Sequence, residues 1–154
     1  MPARRSDPER LLAAVNDQRA ALGLDPWPGA LTAAALGRAS VAAVLAALDS
    51  AADPRRDALR IAVVYLLDVL ERRAPGRSVE VRIPPYAAIQ CVAGTRHTRG
   101  TPPNVVETDA VTWILLATGQ LTWAQAAQGR LRASGTRANL SEHLPLAWRE
   151  PGAG

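Results

Sequence analysis

The hydrophobic period of this chain first changes at Pro75-Gly76, and that change constrains the fold more than any other feature. Up to Arg73, apolar residues recur at three- and four-residue intervals, the spacing of one face of a helix. Beyond Gly76, Ser78-Val-Glu-Val-Arg-Ile83 alternates strictly, the pattern of a half-buried strand with Val79, Val81 and Ile83 inward. Strands segregated from helices imply an α+β chain with a mostly antiparallel sheet covered by helices on one face. The expected organisation is a helical segment over 1–76, a sheet-and-helix unit over 77–146 and a loose tail over 147–154, together one compact domain.

The spacing predicts three helices in the first half. Asp7-Pro8-Glu9 opens the first, with an N-cap carboxylate, proline in the first turn and an acid behind it. Leu11, Val15, Gln18 and Leu22 share its face, and Gly23 closes it. A second helix is expected over about 30–49, with Ala34, Val41, Val44, Leu45 and Leu48 as its stripe. Asp53-Pro54 repeats the cap signal and starts a third, from Pro54 to about Arg73. Leu59, Val63, Leu66, Leu67 and Leu70 form its stripe, and Arg72 and Arg73 complement the dipole at its end.

In the second half, Tyr86–Val92 reads as a strand antiparallel to Ser78–Ile83, and Asn104–Thr108 as a third strand rich in β-branched residues. Asp109 caps a helix over 110–118, Thr122 caps a shorter one over 123–128, and Arg130–Ala133 alternates as a further strand. Ser141 is expected to cap a last short turn, with the chain from Trp148 loosely held.

The run Asp109-x3-Trp113-x5-Gly119-x3-Trp123-x5-Gly129-Arg-Leu-Arg-Ala-Ser-Gly135 resembles the closing segment of the sterol-carrier-protein superfamily. Residues 77–146 are similar in particular to the small actinobacterial proteins of the sterol carrier family, and His97-Thr-Arg-Gly-Thr-Pro-Pro-Asn-Val-Val-Glu-Thr-Asp109 is the most specific piece. That resemblance implies a five-stranded sheet with helices on one face, an apolar tunnel between them, and binding of a sterol, fatty acyl group or other lipid. It extends to the carboxy-terminal domain of mycothiol-dependent isomerases, whose metal-binding histidines lie in a separate helical domain. Residues 1–76 contain no His and no Cys, so neither metal nor thiol chemistry is carried over.

Composition narrows the function classes. All 18 basic residues are Arg, but each half of the chain carries a net charge of only +2 and no basic run exceeds two residues. Nucleic acid is therefore not the expected partner. The apolar run Ile61–Leu67 is far too short to span a bilayer, and the amino terminus has charge without an apolar run behind it, unlike a signal peptide. A single cysteine permits no internal disulfide, and the cytoplasm is the expected compartment.

No catalytic constellation is visible and no cofactor is implied. Cys91, His97 and His143 are scattered, without metal-ligand spacing, and Cys91 lies within an apolar strand that favours an inert thiol. Two ligand-binding sets are candidates. Trp113, Leu116, Leu121, Trp123, Leu131 and Ile89 either line an apolar cavity or fill a plain core. Arg96, His97, Arg99 and Asn104 either form a polar rim for an anionic headgroup or a solvated connection. The expected function is a non-catalytic carrier of a lipid-like or other apolar small molecule. The alternative is a structural or protein-interaction module with a filled core, homodimeric through the stripe on the third helix.

Overall fold

A computed structural model describes residues 7–94 and 104–149. The element order is α1 (Pro8–Ala21), α2 (Ala33–Asp49), α3 (Arg56–Arg73), β1 (Val79–Ile83), β2 (Ala87–Cys91), β3 (Asn104–Thr108), α4 (Ala110–Ala117), α5 (Trp123–Ala126) and β4 (Leu131–Ser134), followed by a 3-10 turn at Ser141–His143. The chain divides into two compact units, residues 7–65 and residues 66–148, so α3 belongs partly to each.

In the first unit, the Asp7 carboxylate accepts from Glu9 N and the Thr32 hydroxyl from Ala35 N, which places the starts of α1 and α2. Val15, Leu36 and Ala39 form a buried cluster packed by Leu11, Leu12 and Trp27. On α2 the expected stripe is displaced: Val41 and Val44 are buried, but Ala34, Leu45 and Leu48 are only half-buried. Ala35, Leu36, Gly37, Ala39, Ser40, Val41, Ala43, Val44 and Ala47 are all buried, because small side chains let neighbours approach from several sides. Gly37 shows how close: a Cβ there would lie 2.5 Å from Tyr65 Cδ2. The cap expected from Asp53 gives way to a tertiary contact. Helix α3 starts at Arg56, and the Arg55 amide donates to Gln18 Oε1 of α1 at 2.6 Å.

In the second unit, β1 pairs antiparallel with β2, with Val81 opposite Ile89. It pairs parallel with β3, Val81 opposite Val106, and β3 pairs antiparallel with β4, Val106 opposite Ala133. The order is β2-β1-β3-β4. This corrects the five-stranded expectation: among the described residues the sheet has four strands and is mixed. A parallel β1–β3 ladder requires a crossover between them, and no local pattern encodes that. One face is buried. Val79, Val81, Ile83, Asn104, Val106 and Thr108 point into it, while Glu80, Arg82, Val105 and Glu107 between them are only half-buried. Off the sheet, Leu66, Leu67, Leu70, Trp113, Ile114, Leu116, Leu140 and Leu146 are buried in the same unit.

Local latches hold the sheet's ends. Val92 N donates to Ala74 O at 2.7 Å, and Ser78 Oγ donates to Val92 O at 2.7 Å. Gly76, at φ +151, passes so near the Val92 carbonyl that a Cβ would overlap it. Farther on, Leu146 N donates to Ala117 O at 2.8 Å and Trp148 is buried, so the chain is held through Trp148, later than expected. Ser141 does not cap its turn; its amide instead donates to Asn139 Oδ1 at 2.9 Å.

Candidate functional site

The β3–α4 junction organises the second unit. The Asp109 carboxylate accepts from Thr112 N at 2.8 Å and from Thr112 Oγ1 at 2.7 Å, stopping β3 and starting α4. That start turns Trp113 and Leu116 inward, each only 2% exposed. After α4 the chain folds back, with Leu121 N donating to Leu115 O at 3.1 Å. Thr122 and Gln125 then form a reciprocal capping box that begins α5. Leu121 and Trp123, two residues apart at this corner, are half-buried.

The other two members of the apolar set lie at opposite sheet edges. Ile89 is on β2, opposite Val81, and Leu131 is on β4, opposite Thr108. Three inter-strand spacings separate them, about 14 Å. A single ligand touching both would therefore have to extend across the sheet.

Of the polar set, Arg96, His97 and Arg99 lie outside the described residues. Asn104 is buried, and both ends of its amide are engaged. Its Nδ2 donates to Ser78 O at 2.8 Å, and its Oδ1 accepts from Arg137 N at 2.9 Å. It clamps β3 between the start of β1 and the segment after β4.

Cys91 is a free thiol with no exposed surface. Burial pushes its pKa up to about 11, and the nearby Glu71 carboxylate adds to the shift. The thiol is therefore neutral near pH 7, the inert form. Asp68 on α3 is also raised, by burial first and then by Glu71, with Arg72 opposing. His143 approaches Glu142, Nε2 to Oε1, at 3.4 Å. Among the described residues, no group of three or more His, Cys, Asp or Glu is placed to hold a metal ion.

Two open concavities border the outer face of the sheet. One, of about 370 Å3, follows the β1–β2 turn between Glu80, Arg82, Pro84, Tyr86 and Ala88. The other, of about 280 Å3, lies where β3 passes into α4, between Pro84, Glu107, Asp109, Gly129, Arg130 and Arg132. Of its lining only Leu131 belongs to the expected apolar set; the charged residues around it were not anticipated. The alternation of Arg130-Leu-Arg132 was visible, but the register setting Arg132 opposite Glu107 joins strands far apart in the chain.

The arrangement defines a small α+β protein built on an open, one-sided sheet. A family model described as bacterial SCP ortholog matches residues 55–146. The chain belongs to that sterol-carrier-protein-like family. A search of curated proteins found no match. No helix among the described residues is long and apolar enough to cross a membrane.

Proposed function

We propose that this protein is a non-catalytic binding protein for a lipid-like or other apolar small molecule in the cytoplasm. Membership of the sterol-carrier-like family over residues 55–146 is the observation that carries the reading. The α4–α5 corner supports it, because Leu121 and Trp123 retain partly wet apolar surface that a ligand would cover. Covering it contributes roughly 25 cal/mol per Å2. The protonated, buried Cys91 is consistent with a role that needs no nucleophile.

A second reading has its own observation. Trp113 and Leu116 are 2% exposed, as in a filled core, while Val64 on α3 is an exposed apolar residue at 38%. The filled core favours an interaction module; the α3 stripe expected to serve a dimer is itself buried at Val63, Leu66, Leu67 and Leu70, which leaves Val64 as the exposed apolar residue of α3 that a second copy would meet.

Native mass spectrometry of the purified protein, with solvent extraction and a fluorescent fatty-acid challenge, separates the two. A stoichiometric apolar adduct, or saturable uptake that quenches tryptophan emission, is the expected result. A clean apo mass without uptake would sink the carrier reading, and a mass that doubles with concentration would then support the module.

A further inference from the structure

The concavity at the β3–α4 junction holds charges that face each other without closing. Glu107 stands directly opposite Arg132 on the β3–β4 ladder, and Arg130 lies two residues before Arg132 on the same wall. Arg55 pairs with Asp17 and Arg82 with Glu80, while His143 Nε2 approaches a Glu142 carboxylate oxygen. None joins the two walls of this cleft, and the side chains of Arg130 and Arg132 have no hydrogen bond or ion pair among the described residues.

The acids are not equivalent. Both oxygens of Asp109 are committed to capping α4. Glu107, half-buried, accepts no hydrogen bond among the described residues; Arg82, opposite it on the β1–β3 ladder, acts on it through space but gives its Nε–H to Glu80 at 2.7 Å. The lining thus presents two guanidiniums without a hydrogen bond or ion pair among the described residues and, on the neighbouring strand, a carboxylate that accepts no hydrogen bond. Gly129, at φ +103, lines it, and a Cβ there would meet nothing within 4 Å, so the space beside the arginines is open. Pro84 adds an apolar side.

A lone anion held by the arginines would be repelled by Glu107, and a lone cation on Glu107 would be repelled by the arginines. A molecule carrying both charges meets each wall with its complement. We infer that this cleft binds a small zwitterion, its anionic group between Arg130 and Arg132 and its cationic group on Glu107. At about 280 Å3 the space is at the lower end for ligand pockets, which restricts the occupant to a small molecule or an exposed headgroup. Leu131 of the expected apolar set also lines the cleft, but the inference rests on its charged residues and not on the lipid-binding reading.

Amide spectra of the 15N-labelled full chain, titrated at constant ionic strength, test this. The probes are glycerophosphocholine, glycine, inorganic phosphate and choline chloride. The expected result is saturable shifts at Glu107, Gly129 and Arg132 with one or both zwitterions, at least about fivefold tighter than with phosphate or choline alone. Glycerophosphocholine binding marks a phosphate-headed ligand, and glycine binding a carboxylate-headed one. The R130A/R132A variant, altered only at exposed side chains, should weaken the zwitterion about tenfold. The near-isosteric E107Q should weaken the zwitterion while leaving phosphate no weaker. Equal binding of phosphate alone, no saturable shift with either zwitterion, or an undiminished affinity in R130A/R132A would each overturn the inference.

Discussion

Single residues in this protein work mainly by closing contacts that sequence neighbours cannot make. Asn104 ties Ser78 O and Arg137 N to one buried amide, so Asn104→Ala leaves two backbone groups without partners. The expected cost is about 2–3 kcal/mol in urea unfolding. Gly37 admits the Tyr65 ring against the α2 backbone. Gly37→Ala should destabilise by about 1–3 kcal/mol even though alanine is the better helix former. Adding Tyr65→Leu should recover part of that loss; additive costs in the double variant would show that the ring contact is not the cause. Cys91 carries a pH signature. Its folded pKa of about 11 lies above the ordinary 9.0, so below pH 9 the thiol is protonated in both states and its contribution is intact. Between about pH 9 and 11 the unfolded chain ionises first, and stability should fall by roughly 2–3 kcal/mol. Cys91→Ala should flatten that segment of the pH profile, and native Cys91 should resist alkylation at pH 8.

At the scale of elements, caps determine where helices begin, and their worth depends on burial. Asp7 caps α1 through an exposed bond, whereas Asp109 caps α4 through partly buried bonds to both polar groups of Thr112. Asp109→Ala is therefore expected to cost about 1–2 kcal/mol and Asp7→Ala about half that, measured by thermal unfolding. Equal losses would mean that burial does not set the value of the cap. Both caps were legible from a carboxylate ahead of an apolar run, as was Thr122 ahead of α5. Asp53 carried the same signal and does not serve, because Gln18 reaches the Arg55 amide from α1. A cap motif states local capacity; a competing partner 37 residues away is not in the motif.

For the whole molecule, the proposed ligand should appear as stability. A bound apolar molecule raises the unfolding free energy by RT ln(1 + [L]/Kd), about 2.7 kcal/mol at a hundredfold excess over Kd. Delipidated protein should therefore melt lower than protein as purified, and recover when the extract is returned. Identical melting before and after extraction would count against a resident ligand. Trp123, half-buried, should report ligand binding more than Trp113, which is 2% exposed. Removing Trp123 by Trp123→Leu is expected to abolish most of the fluorescence change on uptake.

Local sequence carried the kind and approximate place of most elements. Periodicity and turn chemistry act within a few residues, so α1, β3 and the β1–β2 hairpin could be read directly, and the closing run around Trp113, Trp123 and Gly129 pointed to the family. The tertiary structure alone decided how the pieces combine. It made β1 and β3 parallel neighbours, placed Ile89 and Leu131 at opposite edges, and set Glu107 across from Arg132. It also turned Asn104 from a candidate rim residue into an internal clamp. Such pairings join residues distant in the chain, where hydrogen-bond register and the burial of one sheet face jointly select the partner. Local pattern carries the alternation that register requires, but not which strand will meet it.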